Sequence, residues 1–132
     1  MGKGSSAFID RELYLPKTWI ADTARCRQAG IPDEADFSSK PELARQMLAR
    51  AFDAGIPASW VTADCVYGGD RHLRRWREEN QQPFVLAVPC NEPLWCQPFV
   101  CTQAQEMANA LPNKAWRSVS AGAGSKGERW YD

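Results

Sequence analysis

Residues 59–70, Ser-Trp-Val-Thr-Ala-Asp-Cys-Val-Tyr-Gly-Gly-Asp, constrain the fold more than any other stretch of the chain. An apolar run ends on Asp64, two glycines follow, and Asp70 stands directly before a helical pattern. That order predicts a short buried strand over Ser59 to Asp64, a glycine turn, and a helix from about Arg71 to Asn80 capped by Asp70. Pro83 to Val88 is a second continuous apolar run. Strands with apolar residues on both faces are covered on both sides, as in parallel sheets. Two such strands joined through a helix make a βαβ unit, so the chain is expected to be α/β. Ligands of open α/β sheets bind beyond the carboxyl ends of the strands. Asp64 occupies such an end, and hard cations such as Mg²⁺ prefer oxygen ligands there.

The segments before this unit follow similar rules. Ala7 to Leu15 places Phe8, Leu13 and Leu15 in loose alternation and predicts a strand that Pro16 ends. Trp19 to Ala29 is expected to be a short helix stopped by Gly30-Ile31-Pro32. Ser39-Lys40-Pro41-Glu42 has the form of a capping box, with Ser39 as the cap and Glu42 reaching back. Ala44, Met47, Leu48, Ala51 and Phe52 then make one apolar helical face. Gly55 and Pro57 end that helix. Beyond Pro89 the pattern weakens. Asn91 to Thr102 has no clear period, Gln105 to Leu111 reads as a short helix, Trp116 to Ser120 as a strand, and Ala121 to Gly127 as a small-residue turn.

Composition removes several classes of function. The 132 residues suffice for one domain with a core. Six tryptophans favour a packed body over a disordered chain. A formal net charge of zero argues against a globally basic nucleic-acid binder and leaves room for a local basic patch. No stretch approaches the roughly 20 apolar residues of a membrane span. The first six residues lack the apolar core of a secretory signal, so a cytoplasmic location is expected. The five cysteines are then free thiols. The spacing of Cys90, Cys96 and Cys101 fits no common zinc pattern.

Few residues are placed to do chemistry. Asp64 can ligate a metal, or it can simply cap the turn that follows the strand. Asp70 is expected to cap. Arg71, Arg74 and Arg75 share one helical face that can meet DNA phosphates, or can be a solvated face paired with Glu78 and Glu79. Asp10 and Glu12 read as the exposed side of the first strand, and Trp60 and Trp76 as core. No phosphate-binding loop, dinucleotide fingerprint or Ser-His-Asp arrangement is present in the sequence.

Several separate motifs occur in an order that resembles the middle of a bacterial insertion-sequence transposase of the DDE type. They are Phe8-Ile9-Asp10-Arg11-Glu12-Leu13-Tyr14-Leu15-Pro16, Trp19, and Arg25-Cys26-Arg27-Gln28-Ala29-Gly30-Ile31-Pro32. Val61-Thr62-Ala63-Asp64, Tyr67-Gly68-Gly69-Asp70 and Phe84-Val85-Leu86-Ala87-Val88 continue the order. The resemblance implies an incomplete RNase H-like fold that holds the family's third, fourth and fifth strands with their intervening helices. The implied division is a disordered start over 1–6, a partial catalytic domain over 7–115, and the beginning of an inserted β-rich segment over 116–132. In that family two aspartates and a glutamate hold two divalent ions that clamp both oxygens of an in-line displacement. By resemblance Asp64 is the second of those aspartates. The first aspartate and the glutamate have no counterpart here, and Glu128 is not assigned that role.

The implied parent activity is DNA cleavage and strand transfer at transposon ends, with Mg²⁺ or Mn²⁺ as cofactor. This chain alone is expected to be inactive and to hold the metal weakly. Losing the first strand leaves an unpaired edge on the 59–64 strand, and such edges invite strand addition. The implied partners are transposon-end DNA, and full-length transposase or a second copy through that edge. Two alternatives stay open: a truncated product that binds DNA or transposase without catalysis, and a decayed reading frame without function.

Overall fold

The computed structural model describes residues 7–124 and 127–131. The expected start over 1–6, and the tip of the small-residue turn at 125–126, lie outside the described residues. The chain divides into two compact units after Val88. Among the described residues, no helix is long and apolar enough to cross a membrane.

The first unit is built on the expected βαβ core. Strand β1 (Val61–Ala63) leads through α4 (Cys65–Gly68) and α5 (Arg71–Glu79) to β2 (Phe84–Leu86). The two strands are parallel, with Val61 opposite Phe84 and Ala63 opposite Leu86. Helix α3 (Lys40–Asp53) packs against α4 and α5. Leu73 and Ala51 are buried between these helices, and the rings of Phe52 and Trp76 stack with centroids 6.1 Å apart. The architecture is mixed α/β, with helices and small sheets, in agreement with the α/β class expected from the sequence.

Several local expectations change. Residues 7–16 form no strand. A strand needs a neighbour for its backbone, and here the segment is held by side chains instead. Asp10 and Glu12 both grip Arg50 of α3, at 2.8 and 2.7 Å. Phe8, Ile9 and Leu13 remain exposed. The expected helix over 19–29 is two, α1 (Lys17–Ile20) and α2 (Thr23–Gln28). The break falls at Asp22, whose Oδ1 accepts a bond from the Arg25 N–H and starts the second helix. At α3 only half of the capping box forms. Ser39 Oγ accepts from the Glu42 N–H, while the Glu42 carboxylate turns to Arg45 at 2.6 Å.

The β1–β2 sheet is covered on one face only. Val61, Ala63, Phe84 and Leu86 are half-buried, whereas Thr62 and Val85 are exposed. The continuous apolar runs had pointed to cover on both faces. Trp60, expected in the core, is 61% exposed.

The second unit consists of hairpins. Strands β3 (Pro93–Gln97) and β4 (Val100–Gln103) are antiparallel, with a bulge between Trp95 and Gln97. This hairpin occupies the stretch that showed no period, because the bulge breaks the alternation of side chains. Phe99 takes a positive φ of 67° at the tip. Helix α6 (Ala104–Ala110) follows, close to the expected span. A single 3₁₀ turn (Asn113–Ala115) leads to β5 (Val119–Gly124), which pairs antiparallel with β6 (Gly127–Tyr131). The strand expected over 116–120 thus starts later and runs through most of what looked like a turn.

Candidate functional site

Asp64 stands directly after β1, as expected from the sequence. It is exposed, and its Oδ1 accepts a bond of 3.0 Å from the Val66 N–H, so it caps the single-turn helix α4. Its other carboxylate oxygen, Oδ2, takes no part in that bond. The capping role is therefore present in the structure, and it leaves half of the carboxylate for a second task.

The glycine pair beyond Asp64 works differently from the expected turn. Gly68 is the last residue of α4, and Gly69 continues in right-handed helical conformation at φ −72°. Neither uses the left-handed conformation. Gly68 is buried instead because helix and strand approach closely there. A Cβ on Gly68 would run into the backbone carbonyl of Ala87, just past β2. Glycine is the residue that permits such an approach. The position of Asp64 relative to the end of β2 therefore depends on Gly68. Asp70 caps α5 through a 2.8 Å bond from the Leu73 N–H to its Oδ1.

Arg71, Arg74 and Arg75 lie on one side of α5. Arg71 and Arg75 are exposed, and Arg75 pairs with Glu79 at 2.8 Å. Arg74 is half-buried and donates to the Gly68 carbonyl, so it ties the start of α5 to the end of α4. One of the three arginines thus has a structural task at the glycine that fixes the loop.

Carboxylates do not gather around Asp64 in number. Among the described residues, no group of three or more His, Cys, Asp or Glu side chains could hold a metal ion. Asp10, on the segment expected to be a strand, is engaged with Arg50. That contact holds its carboxyl below the ordinary value, with the Arg11 N–H adding to the effect.

The feature that sequence reasoning missed is Arg77. Its side chain is 1% exposed, the most buried polar group among the described residues. It donates from Nη2 to the Pro83 carbonyl at 3.3 Å and lies over the Phe52 ring at 5.3 Å. Nε and Nη1 are buried without a hydrogen-bond partner. Burial pulls its pKa down, since desolvation penalises the charged form. The signal was in the spacing. Leu73, Trp76 and Arg77 stand at i, i+3 and i+4, so Arg77 falls on the apolar face of α5. Beside it runs an apolar groove of about 300 Å³ between α3, α5 and β1.

The comparisons with known proteins agree with the fold. A family model described as DDE superfamily endonuclease matches residues 2–113. No curated protein and no solved structure matches the chain.

Proposed function

The chain belongs to the DDE superfamily endonucleases, and from that premise we propose that Asp64 is one carboxylate of a metal-dependent DNA phosphoryl-transfer site. Enzymes of this family act on DNA and use divalent metal ions. The observation that carries the proposal is the placement of Asp64. It follows a parallel strand of an α/β core, where such sheets bind ligands. Oδ2 lies outside the capping bond, and a carboxylate oxygen suits Mg²⁺ or Mn²⁺.

Asp64 is not a metal site by itself. A two-metal centre needs several carboxylates, and the described residues do not gather three. We infer that the chain alone is inactive in DNA cleavage and holds the ion weakly. Its own contribution is to fix one ligand, through the α4 turn and Gly68, and to offer the Arg71 and Arg75 side chains to DNA phosphates. Phosphate contacts of this kind position a nucleic acid without reading its sequence.

Asp64→Asn separates the two roles, because Asn caps helices about as well as Asp. Mn²⁺ should broaden the amide signals of Val66 and Tyr67 selectively in the unmodified chain, and should not do so in Asp64→Asn. Uniform broadening, or none, would remove the metal role. The purified chain with Mg²⁺ should leave supercoiled plasmid intact. Nicking that Asp64→Asn abolishes would place a complete site in this chain and overturn its assignment as inactive.

A further inference from the structure

Two of the free cysteines stand across the β3–β4 hairpin from one another. Trp95 and Cys101 are directly paired, and Cys96 follows Trp95 in the bulge before Gln97. Directly paired residues of antiparallel strands have Cα atoms about 5 Å apart. One further step of about 3.4 Å along the strand puts the Cα atoms of Cys96 and Cys101 about 6 Å apart, within the span of a disulfide. In a regular ladder such diagonal neighbours point to opposite faces. A bulge removes that obstacle, because its extra residue leaves the alternation and its side chain is re-aimed. The exposure pattern ends its alternation at this point: Leu94 is half-buried, and Trp95, Cys96 and Gln97 are all exposed. The Cys96 thiol donates weakly to the Leu94 carbonyl at 3.9 Å, a contact that costs little to break. Cys90 precedes the other end of the hairpin, where its carbonyl accepts from the Gln105 N–H.

We propose that Cys96 and Cys101 form a modification site, at which a low-molecular-weight disulfide oxidises the two thiols to a cross-link that closes the hairpin tip. Both side chains are exposed, so a small oxidant reaches them. One cysteine thiolate attacks a sulfur of the small disulfide, forming a mixed disulfide and releasing one small thiolate. The other cysteine thiolate then attacks the protein-side sulfur, forming the cross-link and expelling the second small thiolate. The cysteine pair gives up two electrons, the small disulfide takes them, and the two thiol protons pass through solvent to the released thiolates. The cross-link encloses Phe99, whose φ of 67° is rare for a residue with a side chain. The hairpin has no buried residue, and a hairpin of that kind is marginal in water. Closing its tip raises the folded population. Oxidation therefore sets how firmly the exposed Trp95 and Phe99 are held, and none of this depends on the metal role of Asp64.

The test incubates the reduced full chain in graded mixtures of oxidised and reduced glutathione, traps the remaining thiols by alkylation, and cuts with chymotrypsin after Phe99. The fragments on either side of that cut should stay joined until a reductant is added. Cys90→Ser should keep the cross-link, and Cys96→Ser or Cys101→Ser should abolish it. Cysteines this near in sequence also pair in an unfolded chain, so the ratio of cross-linked to reduced protein is compared with and without urea. At a fixed glutathione ratio it should be about tenfold higher in the folded chain. By linkage, the hairpin amides should exchange about tenfold more slowly after oxidation. Equal ratios with and without urea would trace the cross-link to sequence proximity and overturn the site. Mixed disulfides on both cysteines without a cross-link, or a cross-link that recruits Cys90, would overturn it as well.

Discussion

The two units of this chain are held together in different ways. The first has a small interior, with Leu73, Ala51 and Arg77 buried where α3, α5 and the β1–β2 sheet, distant in sequence, come together. The second has no buried residue among those described, and its elements pair with near neighbours: β3 with β4, β5 with β6. Trp95, Phe99 and Trp130 stay exposed there. Hairpins without a packed face are marginal in water. Stability is therefore expected to concentrate in the βαβ core, which is also the part that positions Asp64.

The largest test of that contrast is Gly68→Ala. The added methyl meets the Ala87 backbone rather than a flexible side chain. The first unit should lose roughly 3 kcal/mol or more, since helix and strand must separate. Urea unfolding followed by hydrogen exchange at β1 and β2 would measure it. Unchanged exchange in β3 and β4 would sharpen the distinction between the units, and their joint collapse would break it.

Leu73→Ala comes next. A leucine 4% exposed should lose about 2–4 kcal/mol on truncation. Leu94→Ala, at a half-buried hairpin position, should stay under about 1 kcal/mol. Equal losses at the two sites would show that the second unit also has a cooperative core.

Arg77→Met should act in the opposite direction. It removes a buried charge whose Nε and Nη1 have no partner, while the Pro83 carbonyl keeps its bond from the Val61 N–H. Replacing such groups with apolar side chains is often stabilising, here by about 1 kcal/mol. A fall of several kcal/mol in the thermal or urea midpoint analysis would mean that the guanidinium already has its full complement of partners.

The smallest effect concerns the Asp10–Arg50 pair. The folded state holds the Asp10 carboxyl below the ordinary value of 3.8, first through the Arg50 hydrogen bond. A depressed carboxylate pKa contributes stability above that ordinary value and loses it as pH falls through the folded one. Asp10→Asn should therefore differ from the parent chain near neutral pH, and the two acid-unfolding curves should converge below about pH 4. A constant offset across that range would remove the ion pair from consideration.

Much of the site was legible before any coordinates. The strand just before Asp64, the cap at Asp70 and the strand at Phe84–Leu86 follow from local apolar runs and cap chemistry. Those signals are short-range, so one sequence carries them. The hairpin over 93–103 was hidden because its bulge destroys the period-two pattern. The segment over 7–15 looked like a strand because its side chains alternate. It formed none, since pairing depends on a neighbour that a local pattern cannot supply.

By itself the sequence determined the α/β class, the order of the core elements and the family, because apolar period, caps and ordered motifs are written along the chain. Tertiary structure decided that Gly68 serves close approach rather than a turn, that one sheet face stays open, and that Arg77 is buried with donors unmatched. Those outcomes depend on which distant residues arrive beside a given side chain, and that is settled only when the helices and strands pack.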